Sequence, residues 1–316
     1  MTCARPGGCG STGAVRPAPW YESGVRHQPG ILAPVPATGR FLTLGVHPDA
    51  DPRAALARLQ SWPLGPSTVI GLGDPLLRGL GARIEDLRAF PAVSGVGSAY
   101  PSTQAALWAF LGDGDPGASL LRARALLGLL GDAFFVAEEV LAYRYAEGRD
   151  LSGYEDGTEN PRDERAVAVA IVDGQGEGRD GASFVAVQRW VHDLARLERL
   201  APEARDAVVG RARVSNEELE DAPASAHVKR AAQERFDPPA FMVRRSMPWG
   251  DTREHGLYFV AYAATLDPFE RVLRRMAGLD DGVVDGLSRF TRAVSGGYYW
   301  CPPLVAERLD LRAAGL

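Results

Sequence analysis

Lysine is almost absent from this chain, and arginine supplies nearly all of its positive charge, with 35 basic residues against 40 acidic ones. The formal net charge is −5 and no basic stripe appears. Phosphate backbones need clustered cations, so nucleic acid is not an expected partner. Cysteine is scarce. Cys3, Cys9 and Cys301 form neither a disulfide framework nor a zinc spacing. No apolar run approaches the length of about 18 residues that a membrane span needs. Met1 to Pro19 contains no apolar segment of the kind that opens a secretory signal. No membrane partner and a cytoplasmic location are therefore the expectation. No glycine-rich phosphate loop joins a strand to a helix, which argues against a nucleotide site.

What is present is enough apolar material for a large core. Hydrophobic residues make up 46% of 316, comfortable for two domains. Residues 1–27, rich in Gly, Pro and Ala without apolar periodicity, read as a flexible extension. The remainder divides into 28–150 and 151–316. In the first part, 41–47, 68–72 and 134–145 have strand character, and 51–62, 103–111 and 119–130 read as helices. In the second, 167–172 is a short apolar run, and 183–191 alternates with Phe184, Ala186, Gln188 and Trp190 on one face. Residues 193–211 and 268–276 read as helices, the latter capped by Asp267. Residues 240–244 and 256–264 read as strands, the second apolar on both faces. This mixture predicts an α+β protein built as two sheets with helices on one side of each.

One segment stands out chemically, Gly153-Tyr154-Glu155-Asp156-Gly157-Thr158-Glu159-Asn160-Pro161. Glycines on both sides let the backbone turn sharply and bring a carboxylate against a flat object. Asp-Gly is also a common surface turn. A haloacid-dehalogenase-like phosphatase would need a carboxylate nucleophile where Tyr154 stands, so that reading is poor. Among the five histidines, residue type alone marks none. His27 lies in the extension, His47 ends a strand, His192 begins a helix, His255 precedes a strand, and His227 reads as a half-exposed loop residue.

The order of several segments then decides. Gln28-Pro29-Gly30-Ile31, Arg149-Asp150-Leu151, the Asp156 segment and Val187-Gln188-Arg189-Trp190-Val191-His192-Asp193-Leu194 come first. Ser225-Ala226-His227-Val228, Arg244-Arg245-Ser246-Met247-Pro248-Trp249-Gly250, Gly256-Leu257-Tyr258-Phe259 and 290–302 follow. Over residues 28 to 305 this succession resembles the dye-decolourising peroxidase family, in its shorter bacterial branch. The resemblance implies two ferredoxin-like domains, each an antiparallel sheet with helices packed on it. It also implies one haem b per chain in the C-terminal half. The haem is non-covalent, since no Cys-x-x-Cys-His run exists to attach it.

On that resemblance His227 is the iron ligand, with Asp285 as its hydrogen-bond acceptor and Glu218 a weaker second candidate. Asp285 reads equally as a helix cap. Asp156 and Arg244 are the catalytic pair. Gly157, Thr158, Glu159, Leu257 and Phe259 join His227, Arg244 and Asp285 around the cofactor. Hydrogen peroxide and a small reducing substrate, aromatic or dye-like, are the expected partners, oxidised through an oxo-iron intermediate. Members of the family are commonly oligomeric, so a homo-oligomer is expected. Arg245 should point away from Arg244 by strand alternation. Ser246 stands where relatives often carry Asn. Cys301 and Met276 read as core, not as iron ligands. Trp190, Trp249, Tyr258, Tyr262, Tyr298 and Trp300 read first as packing, with electron relay a second reading. The alternative function is a haem carrier without peroxidase turnover.

Overall fold

The computed structural model describes residues 26–316. Most of the expected extension, 1–27, therefore lies outside the described residues. Its last two residues do not behave as an extension: the Arg26 carbonyl accepts from Leu304 N, and His27 is half-buried.

The first half contributes β1 (Thr38–Val46), α1 (Arg53–Gln60), β2 (Thr68–Leu72), α2 (Asp74–Gly79), β3 (Val93–Gly95), β4 (Ser98–Tyr100), β5 (Leu107–Asp113), α3 (Pro116–Leu130) and β6 (Phe134–Tyr143). The second contributes α4 (Asp163–Ala170), β7 (Ser183–His192), α5 (Leu194–Glu198), α6 (Pro202–Val209), α7 (His227–Arg230), β8 (Val243–Arg244), β9 (Met247–Gly250), β10 (His255–Ala263), α8 (Asp267–Met276), β11 (Thr291–Ala293) and β12 (Gly297–Cys301). The α+β class holds, with every strand pair in the main sheet antiparallel.

Several expectations are corrected. Residues 103–111 are not a helix, because Leu107–Asp113 is strand β5, paired with β1 and β2. Ala and Leu favour helix locally. A central strand buried on both faces loses the two-residue alternation that would have marked it. The single helix expected over 193–211 is two helices, interrupted before Pro202, which starts the second one. The apolar run at 167–172 lies mostly in helix α4. Asp267 does not cap α8; it is the first residue of that helix and pairs with Arg88. His192 ends strand β7 instead of starting a helix.

The main sheet runs β11-β7-β12-β2-β5-β1-β6-β9-β10-β8, and an additional β7–β10 pairing closes it into a ring. The two halves meet at two narrow seams, Trp300↔Leu72 and Ala142↔Trp249. Side chains alternate between two apolar faces. Phe41, Val69, Trp108, Val187, Tyr258, Val260 and Tyr299 form one cluster. Leu42, Ile70, Leu107, Ala186, Trp190 and Trp300 belong to another. The first cluster fills the ring. Phe41 of β1 stacks on Tyr258 of β10 at 4.0 Å, and Trp108 of β5 donates to the Tyr258 hydroxyl at 3.1 Å, although those strands are not neighbours. The second cluster lies outside, under helices such as α8. That helix buries Phe269, Val272, Leu273 and Met276, the i, i+3, i+4, i+7 stripe of an amphipathic helix.

Phe41 is 1% exposed at the centre of the ring. Phe41→Ala should lower unfolding stability by about 3–5 kcal/mol, seen as an earlier denaturant midpoint.

Candidate functional site

Strands β7 and β10 carry a different load on their outer face. Leu257 and Phe259 are only half-buried there, beside Gln188 and Trp190. Helix α8 and the one-turn helix α7 stand opposite. Between them lies a cavity of about 340 Å³ whose lining includes Trp190, Leu257, Phe259, His227, Leu273 and Met276. It is a slot with apolar walls and polar groups at its margins.

His227 is the first residue of α7. Its Nδ1 is 2.8 Å from Asp285 Oδ2, and the Asp285 side chain is 1% exposed. A carboxylate only accepts, so Nδ1 is the donor to Asp285, and Nε2 is the ring nitrogen this bond leaves unused. The other Asp285 oxygen accepts from Leu287 N at 2.9 Å, capping the turn at Gly286–Arg289. The two readings of Asp285, imidazole partner and helix cap, are both realised, one on each oxygen. Glu218 is exposed, contacts Arg211 at 3.5 Å and makes no bond to His227 among the described residues. Helix α7 is pinned by Arg230, which reaches both oxygens of Asp281 at 2.7 Å and the Arg275 carbonyl at 2.6 Å.

Asp156 and Arg244 come together from segments 88 residues apart, Arg244 Nη1 lying 3.2 Å from Asp156 Oδ1. The loop around Asp156 turns through left-handed glycines on either side of it, Gly153 at φ +89° and Gly157 at φ +78°, conformations a side chain would strain. Asn160 holds the loop to the Arg244 backbone twice: its amide donates to Arg244 O and its carbonyl accepts from Arg244 N, both at 2.9 Å. Tyr154 donates to Asp206 at 2.6 Å. Burial and that carboxylate push the Tyr154 hydroxyl above its ordinary range, so it stays a donor.

Arg245 turns the other way, as alternation predicts, donating to the Ala33 and Leu32 carbonyls. Thr158 and Glu159 line the slot, Glu159 paired with Arg211 at its mouth. Gly157 borders a separate cavity of about 100 Å³ behind Asp156 and Arg244, together with Ser246. Cys301 is fully buried in the cluster that fills the ring and is not part of the slot's lining, and burial drives its thiol up. Sequence reasoning missed Asn160, Gln188 and Arg211. Asn160 carried a signal in its Asn-Pro pair; the other two carried none.

Haem fits this site. The slot has apolar walls with His227 in its lining, and Arg244, Arg211 and Lys229 among its lining residues suit propionates. The Nε of Arg244, the Nε2 of Gln188 and the Oγ of Ser246 are buried without a hydrogen-bond partner among the described residues. Buried polar groups are rarely left so, as expected where a ligand completes the site.

The Arg230 guanidinium beside Asp281 and the Val283 N–H hold that carboxyl down at about 2, against an ordinary 3.8. Its folded-state value is depressed, so the clamp stabilises fully above the ordinary value and is lost as pH falls through about 2. Asp281→Asn should therefore melt below wild type at neutral pH. Thermal unfolding at successive pH values should show that gap closing from about pH 4 downward.

The family described as "Dyp-type peroxidase, C-terminal" matches residues 147–306. The dye-decolorizing peroxidase of Mycobacterium tuberculosis is 30% identical over 307 residues, covering 89% of each chain. Among solved structures, a dye-decolorizing protein from V. cholerae superposes with a TM-score of 0.81 at 29% identity, over 91% of this chain and 99% of that one. A DypB variant from Rhodococcus jostii RHA1 in complex with heme gives 0.78 at 29% identity, over 86% and 94%. The chain belongs to the dye-decolorizing peroxidase family and is a haem-dependent peroxidase.

Proposed function

We propose that residues 151–316 form the haem-binding unit beside an N-terminal domain of 28–150, with His227 as iron ligand and Asp156 and Arg244 acting on hydrogen peroxide. The observation that carries this is the opposition across one slot: an imidazole fixed by Asp285 on one side, a paired carboxylate and guanidinium on the other. Haem, when bound, supplies the iron that takes up peroxide and holds the two oxidising equivalents.

The chain's own residues supply the rest. His227 Nε2 would hold the iron of a bound haem, and its Nδ1–H donates to Asp285, which fixes the ring and would make it a stronger electron donor. Asp156 takes the proton from the inner peroxide oxygen and returns it to the outer one, which departs as water. Arg244, charged throughout, stabilises the negative charge growing on that outer oxygen. Leu257 and Phe259 keep the slot dry and narrow, where such charge effects are strongest. Gly157, Thr158 and Glu159 shape the loop and mouth beside the cofactor. Two single electrons from a small aromatic or dye-like reductant complete turnover. A carrier that merely transports haem would not need the Asp156–Arg244 pair. No helix among the described residues is long and apolar enough to cross a membrane. A cytoplasmic homo-oligomer is the accompanying reading.

Visible spectra of haem-loaded protein test the assignment. His227→Ala should lose the wild-type Soret band. Asp156→Asn should keep it and react with one equivalent of peroxide about 10²–10⁴-fold more slowly. A Soret band unchanged in His227→Ala would remove the ligand, and a wild-type peroxide rate in Asp156→Asn would remove the proton carrier.

A further inference from the structure

A buried polar cluster at the end of β7 is unused by the reading above. Asp150 is 9% and His192 8% exposed. His192 Nδ1 lies 2.6 Å from Thr291 Oγ1, and its Nε2 lies 3.0 Å from Asp150 Oδ1. The Thr291 hydroxyl donates to the Val191 carbonyl at 3.0 Å. The Asp150 carboxylate only accepts, so the ring donates to it from Nε2, while the Thr291 hydroxyl meets the ring at Nδ1. Asp150, His192 and Thr291 thus form a buried hydrogen-bonded triad. The second Asp150 oxygen takes the Ser152 N–H at 2.9 Å. Burial works to raise the Asp150 carboxyl, but the facing His192 and the bonds from His192 and Ser152 hold it below the ordinary range.

Asp150 is the root of the loop that carries Asp156. Its backbone N–H donates to the Tyr154 carbonyl and its carbonyl accepts from Gly153 N, both at 2.8 Å. One step further, Arg149 and Glu155 face each other across an antiparallel bridge, and Asp156 N points to the Gly148 carbonyl at 3.4 Å. Asn160 ties the downstream end of the loop to Arg244. Among the described residues, the hydrogen bond to His192 is what ties the Asp150 side chain to the sheet.

We infer that Asp150, His192 and Thr291 are positioning residues of the peroxidase reaction: they lock the upstream end of the Asp156 loop to β7, so that the Asp156 carboxylate is held against Arg244 where peroxide must bind. The inference rests on Asp156 being the proton carrier. Breaking an end of a buried pair leaves the loop root unanchored, whereas Asp150→Asn preserves the anchor. Its carbonyl can accept from Ser152 N, and its amide can donate to a neutral His192 Nε2.

The test measures two things on haem-loaded, full-length protein: the rate of reaction with peroxide by stopped flow, and amide hydrogen exchange of segment 148–160. Asp150→Ala and His192→Leu should keep a full Soret band, exchange faster in that segment, and react about 10–100-fold more slowly, as misplacing a catalytic group by an ångström does. The double variant should be no slower than either single one, because both break one tether. Asp150→Asn should stay close to wild type in both measurements. If Asp150→Ala does not fold, Thr291→Val removes only the hydroxyl and should shift both readouts in the same direction. Wild-type rates or unchanged exchange in the anchor variants would overturn the inference. So would haem loss in proportion to the rate, or an Asp150→Asn as slow as Asp150→Ala. Asp156→Asn, run alongside, separates the two ideas. If it is slow while Asp150→Ala is fast, only the tether fails; if it is fast, the reading of Asp156 fails first.

Discussion

The pairing of β7 with β10 runs from Gly256↔Val191 to Ala263↔Phe184, and each strand must satisfy an apolar environment on both faces. On one face Tyr258, Val260 and Tyr262 fill the ring with Phe41 and Trp108. On the other, Leu257 and Phe259 wall the slot. That double burial makes the strands immovable. Most of the site hangs from them. Arg244 sits on β8, paired to Ala261 of β10. Thr291 of β11 pairs with His192 at the end of β7. Asp156 belongs to no strand, yet its loop is fastened to Arg244 at one end and to His192 at the other.

The opposite wall follows a different rule. Helix α7 is a single turn, too short to hold its place by its own hydrogen bonds. It is fixed by Arg230, whose guanidinium spans to Asp281 and Arg275, and by Asp285. The sheet therefore carries Arg244, with the Asp156 loop tied to it through Asn160, while a polar lattice presents the imidazole. Those polar groups are nearly all satisfied. The exceptions at the slot are Arg244 Nε and Gln188 Nε2. A local breach of an otherwise consistent structure is typical of a functional site.

Sheet strands with clean alternation were legible from the sequence. Phe184, Ala186 and Trp190 did point away from Val185 and Val187. The strand at 107–113 was not, because burial on both faces erased its period and its Ala and Leu content mimicked a helix. The opposed directions of Arg244 and Arg245 were legible, since adjacent residues on a strand must diverge. Asn160, Arg211 and the His192–Asp150 pair were not legible as site residues, because their roles depend on partners 42 to 84 positions away.

By itself the sequence determined the α+β class and, through the order of its motifs, brought forward His227, Asp285, Asp156 and Arg244 as candidate site residues. Those follow from composition, local periodicity and the order of motifs, which need no neighbour in space. The tertiary structure alone decided which oxygen of Asp285 faces His227, that Asp156 meets Arg244, and that His192 closes a buried hydrogen bond with Asp150. Hydrogen bonds and charge pairs act over a few ångströms, and only the closure of the ring brings these distant segments within that reach.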